Sequence, residues 1–286
     1  MKSIILGAPA KINLSLDITG LFDDGYHKVD MIMQSIGLQD VVRLRRLPEG
    51  IRLITDCEDI PDGKENLAWK AAALFQEELG IEEGVEIYID KNIPVAAGLA
   101  GGSTDAAAVL RGMKRLFRSE VGWDDLHKLA ARIGSDVPFC LRGGTARARG
   151  RGEVIAPLPD ISRENLVLIV PRFEVSTAEI YRLYDKMDLS FSVPTDNLVK
   201  KIIEGREITW SEGWGNILEK VTGSLEKDIW RVKEKLQEFD PLFTMMSGSG
   251  PAVFSLVGSR EMAEYIMEKW PYREDRIFIT CFKGRF

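Results

Sequence analysis

The spacing of apolar and polar positions changes along this chain, and each change marks an element. Near the start, Ile12, Leu14, Leu16 and Ile18 alternate strictly with Asn13, Ser15 and Asp17, the period of two that a strand requires. That alternation puts Lys11 and Asn13 on one face, opposite the apolar one. A lysine on the polar face of a strand is ordinarily solvated unless other groups converge on it. Residues 19–28, rich in Gly and Asp, read as a loop. Strand-like runs follow at 29–38, 41–47 and near 51–55, and Val85, Ile87 and Ile89 alternate with polar neighbours in the same way. Helical spacing appears at 66–79, where Leu67, Ala71, Leu74, Phe75 and Leu79 share a face, and again at 105–117. A further helix is expected at 124–133, capped by Asp124 and stopped at Gly134, with a strand-rich segment beginning at 134–138.

Beyond Pro157 and Pro159 the composition shifts, which suggests two consecutive domains, 1–158 and 159–286. The second holds a buried-strand run at 166–170 and a capping box, Ser176-Thr177-Ala178-Glu179, opening a helix that carries Tyr181 and Tyr184. Helical patterns recur at 196–204, 215–222, 224–238 and 259–269, and a last strand at 276–282. Helices and strands mix without regular βαβ alternation, so the expected class is α+β.

Composition narrows the picture. The 286 residues, 45% hydrophobic and 29% charged, are ordinary for a soluble protein with one large or two smaller cores. A formal net charge of −6 argues against a general grip on nucleic acid. Arg142, Arg147, Arg149 and Arg151 form a local basic strip, either a solvated strand face or a hold on an anionic substrate. Cys57, Cys140 and Cys281 lack disulfide or thiolate-metal spacing, and a reducing cytoplasm fits them. The first residues are too short an apolar run for a signal peptide, and no run approaches membrane-spanning length.

The stretch that carries chemistry lies between the strand ending near Asp90 and the helix beginning near Asp105: Pro94, Val95, Ala96, Ala97, Gly98, Leu99, Ala100, Gly101, Gly102, Ser103 and Thr104. Glycines let backbone N–H groups turn inward and an anion approach, and a helix start favours negative charge. Ser103 and Thr104 add hydroxyls able to reach a phosphate or its Mg²⁺. The plainer reading is a tight turn with Ser103 as the cap; the near absence of side-chain bulk favours close ligand approach. Neither a Walker A sequence nor G-x-G-x-x-G occurs. A second glycine-rich loop, M-M-S-G-S-G-P-A, spans 245–252.

In order, A-P-A-K-I-N-L (8–14), P-V-A-A-G-L-A-G-G-S-T (94–104) and S-G-S-G-P-A (247–252) resemble the three motifs of the GHMP kinases, and they cover nearly the whole chain. D-G-Y-H at 24–27 and G-S-D-V-P-F at 134–139 resemble the branch acting on 4-diphosphocytidyl-2-C-methyl-D-erythritol in non-mevalonate isoprenoid synthesis. The resemblance implies a ribosomal-protein-S5-like N-terminal domain with the ATP loop and a ferredoxin-like C-terminal domain. It implies ATP and Mg²⁺ as cofactors; with no dedicated carboxylate cage evident, the metal is expected to be held mainly by phosphate and water, and the protein to be cytoplasmic, as monomer or homodimer. By the same resemblance Asp136 is the base that takes the proton of the substrate's 2-hydroxyl, and Lys11 its charge partner. Asn66 would touch adenine. Tyr26 and Tyr181 would sandwich cytosine, His27 would bond its edge, and Asn13 would lie near the phosphate or hydroxyl end. Thr177 and Arg149 are weaker candidates for the polyol and diphosphate. Ala100 stands where many of these loops carry Gly, and Thr104 where a second Ser is usual. Another GHMP kinase, for homoserine or mevalonate, and a catalytically silent nucleotide sensor are the competing readings.

Overall fold

The computed structural model describes residues 3–189, 191–210 and 213–286. Two long strands open it, β1 (Ser3–Leu21) and β2 (His27–Leu47), paired with each other. The expected loop at 19–28 shrinks to residues 22–26, because Phe22 N donates to Tyr26 O at 2.7 Å and Gly25 N to Phe22 O at 2.9 Å, closing a tight turn. The runs expected at 29–38 and 41–47 are one strand. Gln39 and Asp40 make no turn between them, since Asp40 is fully buried and accepts backbone N–H groups from Asn92 and Ile93.

After β2 come β3 (Ile51–Thr55), α1 (Leu67–Leu79), β4 (Gly84–Asp90), α2 (Gly101–Leu116), α3 (Trp123–Ile133) and α4 (Val137–Arg142). Next are β5 (Thr145–Gly150), β6 (Val154–Pro157), β7 (Asn165–Val170), α5 (Thr177–Tyr184), α6 (Thr195–Ile203), α7 (Ile217–Leu225) and α8 (Asp228–Gln237). The chain closes with β8 (Phe243–Met246), β9 (Val253–Val257), α9 (Arg260–Lys269) and β10 (Arg276–Cys281).

These elements form two compact units interleaved in sequence: residues 1–10, 38–95 and 100–142 in the first, and 11–37, 96–99 and 143–286 in the second. The consecutive division at residue 158 follows a change in composition, whereas compactness follows β1 and β2, each of which supplies residues to both units. In the first unit the later part of β2 pairs antiparallel with β4 (Val41↔Asp90 to Leu47↔Gly84), and β4 pairs parallel with β3. Helix α2 packs on α1, α3 and α4 and is buried nearly all round, which its small side chains permit. A Cβ at Gly112 would lie 2.3 Å from Leu44 Cδ1, so only glycine lets α2 come this close to β2. Helix α3 is capped by extended Gly122 and not by Asp124, which sits with Asp125 in the first turn, where carboxylates favour the positive end of the helix dipole. Strand was expected from 134; instead residues 137–142 are helical with Val137 to Leu141 buried, and Pro138, early in the helix, needs no N–H partner there.

In the second unit the early part of β2 pairs with β5, and β5 with β6, all antiparallel. A separate four-stranded antiparallel sheet has the order β10-β7-β9-β8. With helices between β7 and β8 and between β9 and β10, this is the ferredoxin-like arrangement. Its core strands β7 and β9 are buried almost throughout and apolar except for Asn165 at the start of β7 and Ser255 in β9, whose hydroxyl pairs with that of Thr244 at 2.5 Å.

Candidate active site

In the second unit, Lys11 and Asn13 are 5% and 1% exposed, so neither is the solvated strand residue that alternation alone would give. The Lys11 ammonium donates to Asn13 Oδ1 at 2.8 Å, Lys11 N donates to Leu99 O at 3.1 Å, and Asn13 N donates to Ser247 Oγ at 3.3 Å. Ser247 Oγ in turn donates to Gly98 O at 3.0 Å. A Cβ placed on Gly248 would lie 3.4 Å from both Asn13 Oδ1 and Gly98 O and 3.5 Å from Lys11 Nζ. Three segments remote in sequence, 11–13, 97–99 and 247–250, therefore meet at one point beside a buried cation.

The glycines there are required by geometry. Gly98 has φ +75°, and a Cβ on it would fall 2.3 Å from Ser247 O and 3.0 Å from Gly250 O. The alanines on either side, Ala96 (φ 54°) and Ala100 (φ 56°), are also left-handed, a conformation that costs any residue with a Cβ. Ala100 is the N-cap of α2 and carries no side-chain cap bond. The helix thus begins at Gly101, earlier than the expected 105, and Gly101 to Thr104 form its first turn instead of loop. Ser103 is consequently not the cap. Thr104 is fully buried and its hydroxyl donates inward to Pro9 O at 2.7 Å, so of the two hydroxyls only that of half-buried Ser103 is left for a ligand. Pro94 is buried and Val95 exposed.

Elsewhere in the first unit, Asn66 caps α1: its Oδ1 accepts from Ala68 N and its Nδ2 donates to Pro61 O, both at 2.8 Å. Capping accounts for most of what that amide can do. Asp136 is half-buried immediately before α4, and its carbonyl accepts from Cys140 N at 3.0 Å.

The aromatic residues of the second unit are arranged differently from a simple pair of tyrosines. His27 is buried, its Nε2 lies 2.7 Å from Asp185 Oδ1, and its ring centre is 4.8 Å from that of Tyr181 and 5.8 Å from that of Tyr184. Burial, with Asp17 and Asp185 nearby, raises the Tyr184 phenol above its ordinary value. Tyr26 is 57% exposed, with the Arg151 guanidinium 4.5 Å over its ring. Thr177 shares a 2.9 Å hydrogen bond with Ser249. The basic strip does not act as one patch: Arg147 bonds Asp30 and Asp196, which raise its pKa, and Arg151 pairs with Asp24, while Arg142 and Arg149 point to solvent. Ser249 lies in the S-G-S-G-P-A motif without having been given a role of its own, and Asp185 was not singled out from sequence, since a lone Asp with no spacing signature offers no signal.

The sequence matches the GHMP kinases N terminal domain over residues 66–144 and the GHMP kinases C terminal domain over 198–274. It is 45% identical to the 4-diphosphocytidyl-2-C-methyl-D-erythritol kinase of Alkaliphilus metalliredigens, covering 90% of this chain and 88% of that one. Identity to the enzyme of the same name from Clostridium acetobutylicum is 43%, covering 96% and 98%. A crystal structure of 4-(cytidine 5'-diphospho)-2C-methyl-D-erythritol kinase superposes with a TM-score of 0.84 at 32% identity, covering 98% of this chain and all of that one. A homoserine kinase from Cytophaga hutchinsonii superposes at 0.79 with 20% identity, a likeness of fold alone. The α+β architecture, the motif order and these relatives agree: the chain is a small-molecule kinase and belongs to the 4-diphosphocytidyl-2-C-methyl-D-erythritol kinase family of the GHMP kinases.

Proposed function

We propose that the chain transfers the γ-phosphoryl group of ATP to the 2-hydroxyl of 4-diphosphocytidyl-2-C-methyl-D-erythritol, a step of non-mevalonate isoprenoid precursor synthesis. The observation that carries this reading is the meeting of Lys11, Gly98 and Gly248 at one point, which brings residues of all three motifs together beside a buried cation, as a polyphosphate site would need. Phosphoryl transfer asks the protein chiefly for positioning and charge neutralisation. The backbone of residues 94–104 would hold the phosphates, with Ser103 supplying a hydroxyl.

Asp136 takes the proton of the substrate hydroxyl as that oxygen bonds to the γ-phosphorus and the bond to the bridging oxygen breaks, releasing ADP. Lys11 is assigned as the charge partner, offsetting negative charge on the attacking oxygen and the γ-phosphate. Tyr26, His27 and Tyr181 are assigned to cytosine, Asn13 and Thr177 to the rest of the alcohol, and Asn66 to adenine beside its capping role. Among the described residues no group of three or more His, Cys, Asp or Glu side chains is placed to hold a metal ion. Mg²⁺, when bound, would be held mainly by phosphate oxygens and water, neutralising phosphate charge. The matches at 66–144 and 198–274 fall on either side of residue 158, which supports 1–158 and 159–286 as the two family modules.

The test is ADP release by the purified chain with Mg²⁺-ATP and, separately, the cytidylated alcohol, mevalonate and homoserine. Release with the first alone is expected, and Asp136→Asn should lower it by about a hundredfold or more, the scale of a positioned general base. Turnover with another acceptor would discard the cytosine pocket, and full activity in Asp136→Asn would remove the base.

A further inference from the structure

The roles above leave unused a buried cluster of one ammonium and two carboxyl groups under the start of α2. Lys91 follows β4 directly; its side chain is 6% exposed, and its ammonium donates to Asp105 Oδ2 at 2.8 Å and to Asp40 Oδ2. Asp40 is fully buried, and its Oδ1 accepts from Asn92 N at 2.6 Å and Ile93 N at 2.8 Å, the two residues that lead into Pro94. Asp105 stands one turn into α2, is 2% exposed, and keeps its Oδ1 buried without a hydrogen-bond partner. A Cβ on Gly101 would lie 3.2 Å from Lys91 Nζ, so the ammonium sits directly beneath the first turn of the helix.

Stability does not explain this set. Buried ion pairs repay their desolvation poorly, and apolar replacements of the same volume are often neutral or better. Here one ammonium serves two carboxylates and one oxygen is orphaned, which costs more still. What the cluster supplies is direction: hydrogen bonds fixed at the exit of β4 on one side and at the first turns of α2 on the other, with the 94–100 loop strung between them.

We propose that Lys91, Asp40 and Asp105 are positioning residues that clamp both ends of the 94–100 loop, holding its N–H groups in register for the phosphates of ATP. Asp40 holds the strand exit, Asp105 holds the helix start, and Lys91 ties the two. None of the three touches the nucleotide. The clamp rests on the reading of this loop as the phosphate site.

The experiment measures the Kd of Mg²⁺-ATP by calorimetry without acceptor, and the KM of each substrate, for the wild-type chain, Asp105→Asn and Lys91→Met. Asp105→Asn keeps the shape, removes the charge, and serves if Lys91→Met does not fold. The expected result is an ATP Kd and KM raised about tenfold or more, the scale on which small misplacements act, with the KM of the alcohol unchanged. A folded Asp105→Asn protein that melts at a lower temperature but binds ATP like the wild type would reduce the cluster to a structural one. A wild-type chain that binds no ATP would instead overturn the loop's role, and the clamp with it.

Discussion

Replacing Gly98 by Ala tests whether the two glycine-rich segments are held together as tightly as their geometry implies. The new Cβ would lie 2.3 Å from Ser247 O and 3.0 Å from Gly250 O. Both are backbone atoms, so no side-chain rotation relieves the overlap. Nor is that turn free to retreat: Ser247 N donates to Ala252 O at 2.8 Å, Gly250 N to Ser247 O at 2.9 Å, and Asn216 Nδ2 to Met246 O at 2.9 Å and Gly248 O at 2.7 Å. The left-handed φ of +75° adds about 1–2 kcal/mol for a residue with a Cβ, and overpacking a tight site adds about 1–3 kcal/mol. The expected loss is therefore about 2–5 kcal/mol, read as a shift in urea midpoint at unchanged slope. Gly102→Ala is the control: its Cβ would rest 3.7 Å from Leu67 Cδ1, an ordinary contact, inside a helix. It should be neutral or stabilising by up to about 1 kcal/mol. If Gly98→Ala costs less than about 1 kcal/mol, the argument from close approach fails.

Two further outcomes are expected. Ala100→Gly removes a Cβ from a left-handed N-cap and should raise stability by up to about 1 kcal/mol, since the strain relieved outweighs the added freedom of the unfolded chain; a lower urea midpoint would contradict it. Burial, opposed by Lys91 and reinforced by Asp40, pushes the Asp105 carboxyl from 3.8 up to about 7. Its folded value lies above its unfolded one, so its contribution is fully present below about pH 4 and is lost as pH rises toward 7. At most about 4 kcal/mol is at stake. Asp105→Asn should abolish that decline, so its stability relative to the wild type should rise across this window; parallel pH curves for the two proteins would refute the assignment.

How much of this was legible beforehand depended on whether a residue's partner was local. The alternation from Ile12 to Ile18 carried β1 correctly, and the glycine-rich run at 94–104 marked the site, because both signals lie in consecutive residues. The start of α2 was misplaced because a glycine pair normally ends helices; only Ala100 in a left-handed conformation lets Gly101 and Gly102 begin one. Gln39-Asp40 looked like a gap between strands because a carboxylate inside a strand needs distant donors, here on Lys91, Asn92 and Ile93. Lys11 was recognisable only through motif resemblance. Alternation alone would have left it in water, and what buries it arrives from residues 247–250.

The interleaving of the two units sets a timetable for synthesis. Once residue 142 has left the ribosome, every segment of the first unit exists and its core can close. Residues 11–37 and 96–99 are by then also made, but they belong to a body whose remaining segments begin at residue 143. The β1–β2 hairpin therefore waits with Val29 to Gln34 unpaired on the side that β5 will take, an open edge of the kind that seeks any available strand. A fragment ended at residue 158 would supply β5 and β6 but omit β7 to β10 and the 247–250 turn that covers Lys11. Such a fragment would hold the complete first unit joined to strands from which most of the second is missing.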